Sequence, residues 1–494
     1  MNATSFLKSI PGVLAILVAA AYATVVGQTP QATPPPPAAP RTATFPKPVE
    51  RTLANGLRVI VITRSGTPLV SAALVIKNGG EIDPPELPGL ADMTANLLTK
   101  GTTTRDATRI AEEIESLGGT LDSVARWDAS TVSVGVMSQR IDGAMAILAD
   151  VVRNPTFKAD EIERLRQQNI DNFTLQIGEP GILARFVAAR VVFGDSPYGH
   201  PLSGTAESLA RISRDDIVKL HSQFYRPDNA ILVIGGDITG AKGFSLANQY
   251  FGNWKKPATS MAEVSATSTA PATKAGRVVV IDKPDAGQAA VYLARVGITR
   301  TDPDYFRGIV TNSVLSGYSG RLNQEIRIKR GLSYGAASAL DTRRDVGPFV
   351  ASTQTKNESG AQVADLLLAE IKRLSTGPPA DPELTPRKAV LIGNFSRNLE
   401  TAGGLVAQVA SLALYGLSLD EINRYIGNVQ SITTADVQKF AETKLDATTS
   451  NIIVVGNAKA FLPALQKQFP NVEVIPVADL DLNTALLKKK PPAK

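Results

Sequence analysis

Along this chain the apolar residues fall into two kinds of segment. Short, nearly continuous apolar runs bounded by turn residues occupy 58–63, 69–77, 231–235, 277–282, 289–295 and 452–456, and their length and bounding residues predict β-strands. Between them lie longer stretches with apolar positions at helical spacing. Residues 105–117, closed by Gly118-Gly119, 160–177 and 215–224 are predicted helices. Strands come early and helices dominate the middle of each stretch, which predicts α+β domains with helices on one face of a mostly antiparallel sheet.

The pattern occurs twice. Ile212-Ser213-Arg214-Asp215-Asp216-Ile217-Val218-Lys219-Leu220 aligns with Ile432-Thr433-Thr434-Ala435-Asp436-Val437-Gln438-Lys439-Phe440, and each leads into an apolar run ending in glycine, at Gly235 and Gly456. Ser213 and Thr433 are predicted N-caps, with the acid three residues on completing the helix start. Two compositional breaks frame the copies. Residues 28–48 are rich in Pro, Ala and Thr and include Pro34-Pro35-Pro36-Pro37, as expected of an extended tether. Residues 257–275 are dominated by Ser, Thr and Ala, as expected of a linker. The predicted organisation is a signal peptide at 1–23, a tether at 24–48, two homologous domains at 49–256 and 276–482 joined by a linker at 257–275, and a basic tail at 483–494.

Composition sharpens this picture in three places. Of 494 residues, 43% are hydrophobic and 20% charged, so the chain has apolar material for two sizeable cores. The formal charge of +6 is concentrated at the ends. Setting aside Lys8, Lys488, Lys489, Lys490 and Lys494 leaves +1, which gives no electrostatic footprint for nucleic acid. Lys8, the apolar stretch 13–21 and the small-x-small site Ala21-Tyr22-Ala23 predict a cleaved secretory signal peptide, hence an exported, periplasmic protein. There is no cysteine, so disulfides and thiolate metal sites are excluded.

The candidate chemistry begins at Pro88-Gly89-Leu90-Ala91-Asp92-Met93-Thr94-Ala95-Asn96-Leu97-Leu98-Thr99-Lys100-Gly101-Thr102. This segment resembles the zinc helix of the pitrilysin/insulinase family of zinc peptidases, Gly-x-Ala-His-x-x-Glu-His-Met-Leu-x-Lys-Gly-Thr. The resemblance places Asp92 and Asn96 where the family has its two histidine ligands and Ala95 where it has the general-base glutamate. The family's third ligand, a glutamate further along the chain, corresponds to Asn172, and the acidic residue seven before it to Leu165. Independently of the family, a catalytic zinc site needs two or three imidazoles or thiolates and an open position for water. Only two histidines exist in the chain. His200 lies in the turn Tyr198-Gly199-His200-Pro201 and His221 on the helix 215–224, with no spacing that would make them a metal pair. No cofactor is therefore expected in this chain.

In the second copy, Gly320-Arg321-Leu322-Asn323-Gln324-Glu325-Ile326-Arg327-Ile328-Lys329-Arg330-Gly331-Leu332-Ser333-Tyr334 resembles the family's arginine on a helix followed seven residues later by a tyrosine, with Gly-Leu-x-Tyr closing the segment. Arg327 and Tyr334 take those positions. In the family this pair reaches the zinc site from the other half or the other subunit, so the resemblance implies that Arg327 and Tyr334 contact substrate and oxyanion in trans. The turn Tyr198-Gly199-His200-Pro201-Leu202-Ser203-Gly204-Thr205 and the segment Gln223-Phe224-Tyr225-Arg226-Pro227-Asp228-Asn229 are similar to recurrent scaffold segments of the family, and similarity extends over about 49–482. The pattern is that of the bacterial two-chain members and the mitochondrial processing peptidase, in which one subunit carries zinc. It implies a homologous zinc-bearing partner with an intact His-x-x-Glu-His helix and extended peptide substrates. A homodimer and a catalytically inert, peptide-binding or assembly scaffold are the alternatives. Thr401-Ala402-Gly403-Gly404-Leu405 is predicted as a glycine-bearing loop or helix start, and Leu486-Leu487-Lys488-Lys489-Lys490 as part of a solvated tail.

Overall fold

The computed structural model describes residues 45–261 and 276–489. The signal peptide, most of the tether, the linker from residue 262 onward and the last five residues of the tail lie outside the described residues. The first half forms a six-stranded sheet from β1 (Val49–Thr52), β2 (Arg58–Thr63), β3 (Leu69–Ile76), β4 (Thr120–Ala125), β5 (Ser130–Met137) and β6 (Ala230–Gly236), in the order β1-β2-β6-β3-β5-β4. The second half repeats it with β7 (Val278–Asp282), β8 (Ala289–Val296), β9 (Ser333–Leu340), β10 (Pro348–Thr355), β11 (Asn451–Gly456) and β12 (Val472–Pro476), in the order β12-β7-β11-β8-β10-β9. In the first sheet only β2 and β6 pair in parallel. In the second, β7 is parallel to both β11 and β12, so this sheet is more mixed than its partner.

The local signals in the sequence act where they stand. Ser213 and Thr433 both cap their helices, each main-chain N–H donating to the carboxylate three residues on, at Asp216 and Asp436 (2.9 Å in both). Thr401 caps the helix Ala402–Leu414 by accepting from the N–H of Gly404.

One expectation is corrected: helices cover both faces of each sheet. One face packs against helices of its own half. The other receives a helix from the opposite half. Pro180–Phe193 of the first half lies on β8 and β11, burying Leu183, Ala184 and Val187 against Ala290, Ala294, Ile453 and Val455. Reciprocally, Ala402–Leu414 lies on β3 and β6, burying Leu405, Val406 and Val409 with Ala73, Val75, Ile231 and Val233. Strands buried on both faces need apolar residues at every position, which is why β6 and β11 read as unbroken apolar runs.

A loop of the second half closes the join. Between β9 and β10, Arg344 enters the first half. Its main-chain N–H donates to Asp128 Oδ2 (2.8 Å), and its guanidinium reaches Glu81 Oε1 (3.0 Å) and the carbonyl oxygens of Lys77 and Asp128 (2.7 and 2.8 Å). Asp128 also accepts from the hydroxyls of Tyr198 (2.5 Å) and Tyr415 (3.0 Å). The adjacent Arg343 lies over the rings of Trp127 and Tyr198, 4.7 Å from each centroid.

The tail is a second correction, since its first residues are docked rather than solvated. Leu487 is fully buried beside Leu482, and Arg190 Nε and Nη2 donate to the Leu482 carbonyl (3.1 and 2.9 Å). Leu486 alone of that apolar pair faces solvent.

Candidate functional site: a cleft between the two halves

The helix Leu90–Leu97 is fixed at its N-terminus from three directions. Asp83 accepts from the N–H groups of Gly89 (2.7 Å) and Ala91 (2.8 Å), placing an acceptor where the helix leaves donors unpaired. Ser208 Oγ donates to the Pro88 carbonyl (2.8 Å). Gly89, at φ 94°, sits so close to Gly204 that a Cβ on it would stand 2.9 Å from the Gly204 main chain. The Pro-Gly of the helix motif and the Gly-Thr of the turn 198–205 are thus two sides of one contact.

On this helix Ala95 is fully buried and Asp92 and Asn96 are half-buried. Asn96 Nδ2 donates to the Asp92 carbonyl (2.8 Å). Burial pushes the Asp92 carboxyl up to about 6. On the helix Ala159–Gly178, Leu165 is in the core and Asn172 is exposed, while Gln176, one turn beyond, lines the same cleft as Asp92. The histidines stand elsewhere. His200 is buried with Nδ1 2.9 Å from the Pro201 carbonyl, and His221 stacks on Tyr225 with Nε2 2.8 Å from the Val152 carbonyl. Burial lowers both to about 4, so both rings are neutral near pH 7. One carboxylate, two amides and an alanine do not fit a catalytic zinc ion. Among the described residues no group of three or more His, Cys, Asp or Glu side chains is placed to hold a metal.

Two cavities meet over one face of the second sheet. The first, of ≈ 550 Å³, lies between the halves and is lined by Asp92, Gln176, Arg185 and Phe186 from one side and by Tyr292, Ala339, Val350 and Ser352 from the other. The second, of ≈ 630 Å³, holds Arg327, Tyr334 and Tyr318. Tyr292 and Ser352 line both, so they form one groove. Its floor is built from cross-strand rows, Tyr292–Ser352–Ala337 and Ala294–Val350–Ala339, whose mostly short side chains leave the space open.

Arg327 is on the π-helical turn Gln324–Ile328 that continues the short helix Arg321–Asn323. Gly331, at φ 64°, ends this segment with its N–H donating to the Arg327 carbonyl (2.9 Å), and the chain then enters β9, the edge strand. Tyr334, its second residue, is 88% exposed. The Arg327 guanidinium lies 5.6 Å from the ring centroid of Tyr318, itself exposed. Tyr318 was not identified from the sequence, because it lies just before the segment 320–334 that carries the Arg327 and Tyr334 spacing. Arg185 and Arg344 were missed as well, because both read as ordinary surface charges until the opposite half is in place.

Two family descriptions match the sequence: insulinase (peptidase family M16) over residues 58–179, and peptidase M16 inactive domain over 211–390. The chain belongs to the M16 family. Among its relatives, a Rickettsia bellii (strain RML369-C) protein described as an uncharacterized zinc protease is 25% identical over 410 residues, covering 82% of this chain and 97% of that one. Among solved structures, an M16 inactive domain from Pseudomonas fluorescens superposes with a TM-score of 0.76 at 26% identity, over 83% of this chain and 98% of that chain. A protease from Helicobacter pylori shares the fold with a TM-score of 0.78 at 21% identity, over 84% and 100% of the two chains. The M16 frame here carries Asp92, Ala95 and Asn96 on its helix Leu90–Leu97, side chains that do not build a catalytic zinc site.

Proposed function

We propose that this M16 protein is the metal-free subunit of a periplasmic zinc endopeptidase, exported by its leader and assembled with a homologous partner that carries zinc and the general base. The observation that carries the reading is the pairing of Arg327 and the exposed Tyr334 on one open cavity, in a chain whose own helix offers only Asp92, Ala95 and Asn96. A guanidinium and a phenol hydroxyl are both donors. Aimed at a scissile carbonyl, they bind it and strengthen as negative charge develops on its oxygen, while metal and nucleophile come from the other subunit. None of the described helices is long and apolar enough to cross a membrane.

The test is turnover in trans. Alone, the purified chain is expected to bind no stoichiometric zinc and to cleave no peptide. Added to a zinc-bearing homologue with an intact His-x-x-Glu-His helix, it should raise kcat. Arg327→Ala and Tyr334→Phe should each lower that kcat by about a hundredfold while the complex still assembles. Chelator-sensitive cleavage by the chain alone would refute the proposal. Unchanged turnover in both variants would favour the second reading, an inert peptide-binding or assembly scaffold, for which the degenerate helix speaks equally.

A further inference from the structure

Three arginines line the groove: Arg185, Arg327 and Arg343. Arg343 is neutralised within the chain by Asp341. Arg185 and Arg327 have no such carboxylate among the described residues. Each instead lies near an aromatic ring, Arg185 at 5.5 Å from the centroid of Phe186 and Arg327 at 5.6 Å from that of Tyr318. A guanidinium held this way keeps its fork of donors free and loses less freedom on pairing with a carboxylate. The two cavities they line share Tyr292 and Ser352, and among the described residues the carboxylates on their walls are Asp92 and the already paired Asp341.

Arg185 owes its position to the exchanged helix. Leu183, Ala184 and Val187 bury that helix on the second sheet, which turns Arg185 outward at the rim of the groove. It belongs to the first half and acts over the second, so neither half taken alone has it poised over this groove. Beneath it, Tyr292, Ala294, Val350 and Ser352 offer a surface of small and aromatic side chains with room for a main chain in extended form.

We propose that this groove selects peptides carrying acidic side chains, with Arg185 as the selecting residue and Arg327 at the far end of the same track. The inference rests on the proposed reading in one respect, that the ligand is a peptide. It is tested on binding by this chain alone, so its failure leaves turnover in trans unaffected and the two can be told apart.

The experiment measures fluorescence anisotropy of labelled, C-terminally amidated peptides that alternate Glu, Gln or Lys with Ala, titrated with the full chain. The Glu peptide is expected to bind at least about tenfold more tightly than the Gln peptide, with an advantage that shrinks as salt is added. Arg185→Gln should remove most of that advantage, and Arg185→Glu should turn the preference toward the Lys peptide. Arg185 is exposed, so an unchanged thermal midpoint is expected for both variants. Equal binding of the three peptides, no binding of any, or a Glu preference that survives R185Q would each overturn the proposal. A Gln peptide with a free C-terminus separates the two sources of carboxylate. If it binds more tightly than the amidated Glu peptide, the groove reads a chain terminus and acidic side-chain selection is wrong.

Discussion

Asp92 is a carboxylate in a place that gives it no cation. The Arg344 guanidinium is engaged with Glu81 and the Lys77 and Asp128 carbonyls, and the Asn96 amide bonds to the Asp92 main chain rather than supplying charge. Desolvation therefore dominates and raises the carboxyl to about 6, against about 3.9 in an unfolded chain. Between those two values the folded protein keeps a proton that the unfolded chain has lost, so stability falls as pH rises from about 4 to about 6 and is level above. Asp92→Asn removes this term. The variant should be more stable than the parent by about 2–3 kcal/mol at neutral pH and equal to it near pH 4, as read from urea unfolding midpoints. A parent whose stability is flat across that interval would contradict the assignment. At this scale the sequence disclosed what depends on local order: the helix that bears Asp92, Ala95 and Asn96, and the seven-residue step that sets Arg327 and Tyr334 on one cavity. It did not disclose Arg185, Tyr318 or Arg344, whose significance depends on partners far away in the chain.

The helix Ala402–Leu414 can lie on the first sheet because β6 ends in Gly235-Gly236. A Cβ on Gly235 would stand 2.7 Å from Val406 Cγ2 and 2.9 Å from Ile62 Cγ2, closer than carbon atoms tolerate. Gly235→Ala should accordingly destabilise the protein by about 1–3 kcal/mol through displacement of that helix. Combined with Val406→Ala, which deletes the nearer methyl, the loss should be smaller than the sum of the two single losses, and a double-mutant cycle measures the difference. Strict additivity would mean that the two residues do not meet. The glycine ending this apolar run was plain in the sequence, and the six strands and the helices read there lie within a residue or two of their observed bounds, whereas β1, β4, β5, β9, β10 and β12, which are partly exposed or lie toward the sheet edges, were not read. What the runs also carried, unread, was their evenness: β2, β6, β7 and β11 lack the polar alternation of a sheet with one wet face. That evenness signals cover on both sides, but it cannot say that the second cover comes from the other half.

At the scale of the molecule, exchange of helices makes the two halves one folding unit despite their shared ancestry of pattern. Separated, each half would expose the sheet face that its partner's helix covers and would carry an apolar helix with nothing to pack on. Segments 45–261 and 276–489 produced together from separate reading frames should therefore associate and elute as one species, whereas either produced alone should aggregate. The Arg344 contact supplies the polar part of the same join. Replacing it by methionine leaves the buried Glu81 without its cation and the Lys77 and Asp128 carbonyls without their donor, a loss of about 3 kcal/mol that should weaken reassociation of the two segments by about a hundredfold. Because Arg185 reaches the groove only when its helix is seated on β8 and β11, the same separation should abolish any preference for acidic peptides in either segment and restore it in the reassembled pair. Independent folding of one segment with its peptide preference intact would show that the groove belongs to a single half, contrary to the exchanged arrangement.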